Sequence, residues 1–228
     1  DLLCDDKSRS IYANIICNRI APQYAQMSYS DMCQYPQYFP NDVFKISDNE
    51  KVADIGAYTG DTLQEFIKIS GGKFSRYYAF EMDKENYDKM EAMRLTLDEN
   101  IGNKIICYNV GVTDLNGIIE YGKNSSSDSY SIYNKSEICQ SRTVRLDDFI
   151  KDDLSYIKMD IEGAEIQALK GAANIVKYNK PRMGICVYHR LEDIYKIPQM
   201  LKSFNPDYRI SIRHHAQWWV SETVCYAY

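Results

Sequence analysis

KVADIGAYTGDTL, residues 51–63, is the stretch on which the fold turns. Val52, Ala53 and Ile55 form a short apolar run around one acid, Asp54, and the run breaks into Gly56-Ala57-Tyr58-Thr59-Gly60. An amphipathic segment starts at Asp61, with Leu63, Phe66 and Ile67 on one face. That order reads as strand, glycine turn and helix N-terminus. It suits a nucleotide-like ligand, because glycines let backbone approach the ligand and a helix start offers free N–H donors. The bland alternative is an ordinary strand–turn–helix in a doubly wound sheet.

Spacing narrows the ligand. A dinucleotide fingerprint reads G-x-G-x-x-G and places its acid about 20 residues later, on the ribose. Here Tyr58 stands at the middle glycine position, and Asp54 precedes the first glycine by two residues. A carboxylate there is expected to face a positive group near the turn rather than a pyrophosphate. S-adenosylmethionine carries an ammonium and a sulfonium, whereas NAD has no comparable cation at its pyrophosphate. Glu81 ends a second apolar run, Arg76 to Phe80, which reads as a strand neighbouring the first. A carboxylate at that strand end accepts hydrogen bonds from vicinal ribose hydroxyls. Its plainer alternative is a surface acid capping the next helix.

Outward toward the N-terminus, residues 1–22 read as a helix, capped by Ser8 or Asp6, with Ile11, Tyr12, Ile15 and Ile16 at helical spacing. Residues 23–42, rich in Tyr, Gln, Pro and Ser, read as a loop or short helical turns anchored by Tyr35, Tyr38 and Phe39. A long ordered loop of this kind is also a candidate substrate lid. Toward the C-terminus, Asp83 caps a helix with Tyr87, Met90, Met93 and Leu97 on one face, ended by Gly102. A third strand covers residues 104–109, and residues 116–145 read as a hairpin-like insertion with a serine-rich tip. A fourth strand, Ser155 to Asp160, leads into a helix opened by Ile161-Glu-Gly-Ala-Glu165. Asp160, Glu162 and Glu165 thus surround the carboxyl end of a central strand, the edge where open α/β sheets bind ligands. Arg182 to Tyr188 is a fifth strand, residues 191–204 are helical but interrupted at Pro198, and Tyr208–Arg213 and Glu222–Ala227 close the sheet antiparallel.

The expected fold class is therefore α/β and Rossmann-like: a seven-stranded, mostly parallel sheet with an antiparallel end and helices on both faces. Residues 1–45 form a helical and loop extension, and residues 46–228 the catalytic domain. At 228 residues and net charge −5, the chain suits one α/β enzyme domain and carries no basic footprint for nucleic acid. Its seven cysteines form no C-x-x-C pair, and several lie in apolar runs where free cysteine acts as a small hydrophobe. A reducing, cytoplasmic setting is expected, without membrane partners, since no apolar run approaches ~18 residues. The chain begins at Asp1 without Met, which leaves an upstream targeting segment open.

Five blocks carry a resemblance: DIGAYTGDT (54–62), FEMDKENYDK (80–89), VRLDDFI (144–150), IKMDIEGAEIQALKGA (157–172) and VYHR (187–190). In this order, over roughly residues 40–228, they are similar to the FkbM-type S-adenosylmethionine-dependent methyltransferases of the class I superfamily. The resemblance implies S-adenosyl-L-methionine as cofactor. Asp54, Gly56, Tyr58, Gly60 and Thr62 would line its methionine side and Glu81 would hold its ribose. The expected cofactor-binding set also includes Ala57, Thr59, Met82, Asn109 and Asp160. The family pattern often has Asn where Tyr58 stands. The family is usually associated with O-methylation of sugars or natural-product hydroxyls, so a small-molecule or glycan hydroxyl acceptor is the implied partner.

Methyl transfer from a sulfonium is an in-line displacement in which alignment dominates, and an alcohol acceptor must also lose a proton. His189, ending the fifth strand, is the expected base, because imidazole titrates near neutrality. The alternative is a histidine tying down its loop. Asp160 is expected to orient the acceptor; with Glu162 it could bind a cation, yet acids there also commonly cap the next helix, and no metal ligand is assigned. His214-His215 and Trp218-Trp219 either shape an acceptor pocket or pack the last hairpin, with packing favoured for the tryptophans. The competing functions are a methyltransferase-like domain that binds without turnover and, disfavoured by Tyr58 and Asp54, an NAD-dependent dehydrogenase.

Overall fold

The computed structural model describes residues 2–123, 130–131 and 137–228. In chain order the elements are helix α1 (Asp6–Ile20), a 3₁₀ turn (Pro22–Tyr24), α2 (Tyr29–Met32), strand β1 (Lys51–Ile55), α3 (Asp61–Ser70), β2 (Arg76–Phe80), α4 (Lys84–Leu95) and α5 (Glu99–Gly102). Then follow β3 (Ile105–Tyr108), β4 (Gly111–Val112), β5 (Gly117–Lys123), β6 (Tyr130–Ser131), β7 (Glu137–Val144), α6 (Leu146–Phe149) and β8 (Tyr156–Met159). The chain closes with α7 (Glu165–Gly171), α8 (Ala173–Asn179), β9 (Arg182–Cys186), α9 (Asp193–Phe204), β10 (Ile210–His214) and β11 (Thr223–Ala227). The expected seven-stranded, mostly parallel sheet with an antiparallel end is present. Four of its strands belong to one compact unit, Ile46–Pro181, and three to the unit formed by the N-terminal segment up to Lys45 with Arg182–Tyr228.

In the Ile46–Pro181 unit the order is β8-β1-β2-β3, all parallel. Val52 through Ile55 of β1 and all of β8 are buried, the continuous pattern of strands covered on both faces. Registers pair Asp54 with Ala79 of β2 on one side and with Lys158 of β8 on the other. Leu63 and Phe66 of α3 are fully buried, and Phe66 meets Phe74 and Tyr77 at ring-centroid distances of 5.3 and 5.4 Å. Helix α4 is capped by Asp83, as expected, but it ends at Leu95; α5 is a separate turn capped by Asp98, whose carboxylate draws Asn100 N–H out of the longer helix. The insertion pairs β5 with β7 antiparallel and forms its own four-stranded sheet, β4-β7-β5-β6. Most of its serine-rich tip, residues 124–129, lies outside the described residues.

In the other unit, β9, β11 and β10 pair antiparallel. The cap of α1 is Asp5, which accepts the Ser8 N–H at 2.7 Å, rather than Ser8 or Asp6. Ser8 is instead fully buried, and its hydroxyl accepts Ile212 N–H of β10. Of the three expected anchors in residues 23–42, Tyr38 and Phe39 are buried but Tyr35 is 69% exposed. Helix α9 starts at Asp193 and runs through Pro198 without interruption; Pro198 is buried on its apolar face, so packing outweighs the one lost backbone bond. Among the described residues the seven cysteines form no disulfide. Among the described residues, no helix is long and apolar enough to cross a membrane.

Candidate functional site

The turn after β1 is built by backbone contacts to its neighbours. Gly56 and Ala57 donate their N–H groups to Phe80 O at 3.0 and 2.9 Å, tying the turn to the end of β2. Gly56 has φ +80°, and a Cβ at that position would lie 1.8 Å from the Asp160 carbonyl oxygen. Only glycine fits, for two independent reasons: the left-handed backbone and the close approach of the β8 loop. Tyr58, at the middle glycine position, has φ +50°, a conformation that costs a side-chain-bearing residue about 1–2 kcal/mol. Gly60, φ +90°, is the N-cap of α3, and no side chain caps that helix start. Ala57 and Thr62 are buried, Thr59 is half-buried, and Tyr58 is 36% exposed.

Glu81 stands at the end of β2, only 7% exposed, and its two carboxylate oxygens are aimed by backbone. Oε2 accepts Tyr58 N–H at 2.9 Å and Oε1 accepts Asp83 N–H at 2.8 Å. Burial pushes its carboxyl up to about 7, the two N–H bonds opposing the rise and the Asp83 charge adding to it. Asp83 is at once the cap of α4 and the acceptor of the Tyr121 hydroxyl at 3.3 Å. Asn109, after β3, donates to the carbonyls of Glu81 and Met82 at 2.9 and 3.1 Å, so it fixes the backbone that presents both. Each carboxylate oxygen of Glu81 has further lone-pair capacity, which is what a vicinal diol requires.

Asp54 is fully buried, and the cation it meets in this structure is Lys158 Nζ, 3.1 Å from Oδ1. Tyr77 Oη donates to its other oxygen at 2.7 Å, and Lys158 Nζ also donates to Gly56 O at 2.5 Å. Burial raises the Asp54 carboxyl, with the Lys158 charge working against that rise; the Tyr77 hydroxyl is raised by burial and by the adjacent carboxylate. Lys158 and Tyr77 were not among the expected site residues. A lysine inside the apolar run Tyr156-Ile-Lys-Met159 was the available signal, since a buried ammonium has to find a carboxylate.

Asp160 follows β8, half-buried, and its N–H donates to Ile55 O at 3.0 Å. The next turn again holds left-handed residues, Glu162 at φ +56° and Gly163 at φ +94°. Glu165, fully buried at the start of α7, accepts Ile161 N–H at 3.0 Å and so closes that turn. Unusual backbone conformations therefore collect at the carboxyl ends of the paired strands β1 and β8, where such strain accompanies ligand sites.

The expected base, His189, belongs to the other unit, half-buried after β9 and with its ring 4.1 Å from that of Tyr188. His215 is a structural residue there. Its Nδ1 lies 2.6 Å from Gln34 O and its Nε2 2.9 Å from the Tyr226 hydroxyl, while burial lowers its imidazole to about 4. His214 is fully buried against Thr223 Oγ1 at 2.9 Å. Trp218 and Trp219 do not pack the hairpin: they are 73% and 70% exposed, in the irregular segment that joins β10 to β11.

A family model described as the methyltransferase FkbM domain matches residues 54–213. The chain is similar to a crystal structure of methyltransferase FkbM from Methylobacillus flagellatus KT, with 30% identity and a TM-score of 0.79. That match covers 99% of this chain and 56% of that one, so this chain spans little over half the length of its relative. Fibrillarin from Aeropyrum pernix, crystallised with natively bound S-adenosyl-L-methionine, shares the fold at 13% identity and a TM-score of 0.50. It matches 82% of this chain and 70% of that one. Comparison with curated proteins returned no match.

Proposed function

The chain belongs to the FkbM methyltransferase family, and on that premise we propose that it binds S-adenosyl-L-methionine and transfers its methyl group to a hydroxyl of a sugar or other small metabolite. The observation that carries the cofactor assignment is Glu81, a buried carboxylate held by Tyr58 N–H beside the glycine turn. It is set to accept two ribose hydroxyls while the turn and the uncapped start of α3 receive the rest of the ligand. S-adenosylmethionine supplies an electrophilic methyl group on sulfur; the protein's part is to hold donor and acceptor in line and to exclude water. Asp54 serves the site from within, its charge held by Lys158 beneath the turn. We assign acceptance of the hydroxyl proton to His189 and orientation of the acceptor to Asp160, each on its place at the end of a sheet strand.

The test is turnover of isotopically methyl-labelled S-adenosylmethionine over a panel of hydroxylated sugars and metabolites, with cofactor binding measured in parallel. Micromolar cofactor binding and labelled product are expected. Binding without product from any acceptor favours the non-catalytic reading; micromolar NAD binding with none for the methyl donor removes the assignment. His189→Ala should leave cofactor affinity nearly intact and slow turnover by roughly 10²–10⁴-fold.

A further inference from the structure

Arg19, in the last turn of α1, carries its charge inward. Long basic side chains ordinarily lay their stems along the protein and keep their heads in water. Here the residue is partly exposed, yet all three guanidinium nitrogens are buried and none has a hydrogen-bond partner among the described residues. A helix C-terminus alone would satisfy a cation in the solvent, so turning it inward has no local explanation.

The surroundings are built rather than accidental. Asn18, beside Arg19, donates to Asn14 O at 2.8 Å and to Met27 O at 3.1 Å, which fastens the end of α1 to the segment entering α2. Tyr29 opens α2, and its ring lies 5.2 Å from that of His214 on β10. Burial lowers the basicity of Arg19, and the nearby Tyr29 and Asp193 groups act on it in the opposite sense. Burial also lowers the His214 imidazole to about 4, with the Arg19 charge contributing, so the imidazole is neutral at working pH and Asp193 is the acidic group that acts on the guanidinium. From His214-His215 the chain runs into the loop that exposes Trp218 and Trp219.

A guanidinium stays protonated in proteins and offers five donors in a planar fork that matches a carboxylate or phosphate. Burying that fork without an acceptor is unfavourable unless a ligand or solvent completes it. We propose that Arg19, Tyr29 and His214 form an oxyanion site that takes the carboxylate or phosphate group of a small molecule. The site stands apart from the cofactor assignment and does not depend on it.

The experiment uses the full chain. Calorimetry with sodium phosphate and with sodium acetate, against sodium chloride at equal ionic strength, separates the two anion types. Saturable binding of at least one oxyanion is expected, weakened at least tenfold by Arg19→Gln and less by Arg19→Lys, which keeps the charge but not the fork. Crystals soaked in selenate should place an anomalous peak at the Arg19 guanidinium. Absence of saturable binding in the wild type, unchanged binding in Arg19→Gln, or selenate only at other sites would mean that water alone fills the space and would overturn the proposal. Should Arg19→Gln fail to fold, the wild-type titration and the selenate position still decide.

Discussion

Replacing Lys158 with Met keeps the length and apolar packing of the side chain and removes one charge from the interior. Asp54 then lacks the ammonium 3.1 Å away, keeping only the Tyr77 hydroxyl at 2.7 Å, and Gly56 O loses its donor. Leaving one partner of a buried pair uncompensated costs about 3–5 kcal/mol. Asp54 can lower that cost by taking up a proton, at about 1.4 kcal/mol for each pH unit above an ordinary aspartate pKa near 4. At pH 5.5 protonation therefore caps the charge penalty at roughly 2 kcal/mol, whereas at pH 7.5 the cap is about 5 kcal/mol and the full penalty stands. An acid whose folded pKa is raised loses stability as pH rises from its unfolded pKa to its folded one, which gives the direction: the variant weakens toward alkaline pH. With about 1 kcal/mol more for the carbonyl's lost bond, urea denaturation should show a deficit of roughly 3 kcal/mol at pH 5.5 and 4–6 kcal/mol at pH 7.5. Adding Asp54→Asn should recover about 2 kcal/mol or more at pH 7.5, because the amide oxygen still accepts from Tyr77 and no buried charge remains. A deficit below about 1 kcal/mol that ignores pH, or a double variant no better than the single one, would refute the reasoning.

Glu81, with its carboxyl near 7, should make cofactor affinity rise about tenfold between pH 6 and pH 8, since ribose hydroxyls favour the ionised form; calorimetry across that range checks it, and Glu81→Gln should flatten the profile. Gly56→Ala should cost more than about 2 kcal/mol, because the left-handed φ alone costs about 1–2 and the Cβ also meets Asp160 O. Gly71→Ala, at φ +60° with nothing within 4 Å of its Cβ, should cost only that backbone share, so equal melting-temperature losses for the two glycines would discount the collision. Tyr58→Asn should change stability by no more than about 1 kcal/mol, since Asn tolerates φ +50° better but gives up the contacts of a side chain only 36% exposed; a larger drop in melting temperature would show that the ring's contacts outweigh the strain.

The parts of the fold legible in the sequence are those fixed locally. The run 51–55, its glycine turn and the helix after it follow from apolar burial on both faces and from residues that only glycine can satisfy, and Glu81 follows from being the first acid after the next buried run. What stayed hidden depends on register and approach between segments far apart in the chain. Asp54 faces Lys158 because β1 and β8 pair at that register, about a hundred residues apart, and no local pattern encodes the pairing. Gly56 looked like a concession to a ligand, yet the atom that forbids a side chain there is the backbone carbonyl of Asp160. Pro198 shows the converse, a local rule overruled: its buried ring contributes to the α9 face more than its missing N–H subtracts. Arg19 is the sharpest case. By position it reads as a solvated cation at a helix end, yet its guanidinium nitrogens are buried where the segment around Gln26 and Met27 folds back and bonds to Asn14 and Asn18 of α1. Glu81 and Arg19 are thus legible to different degrees for one reason: a strand end points its carboxylate from local geometry, whereas a helix surface leaves the direction of a long side chain to whatever packs over it.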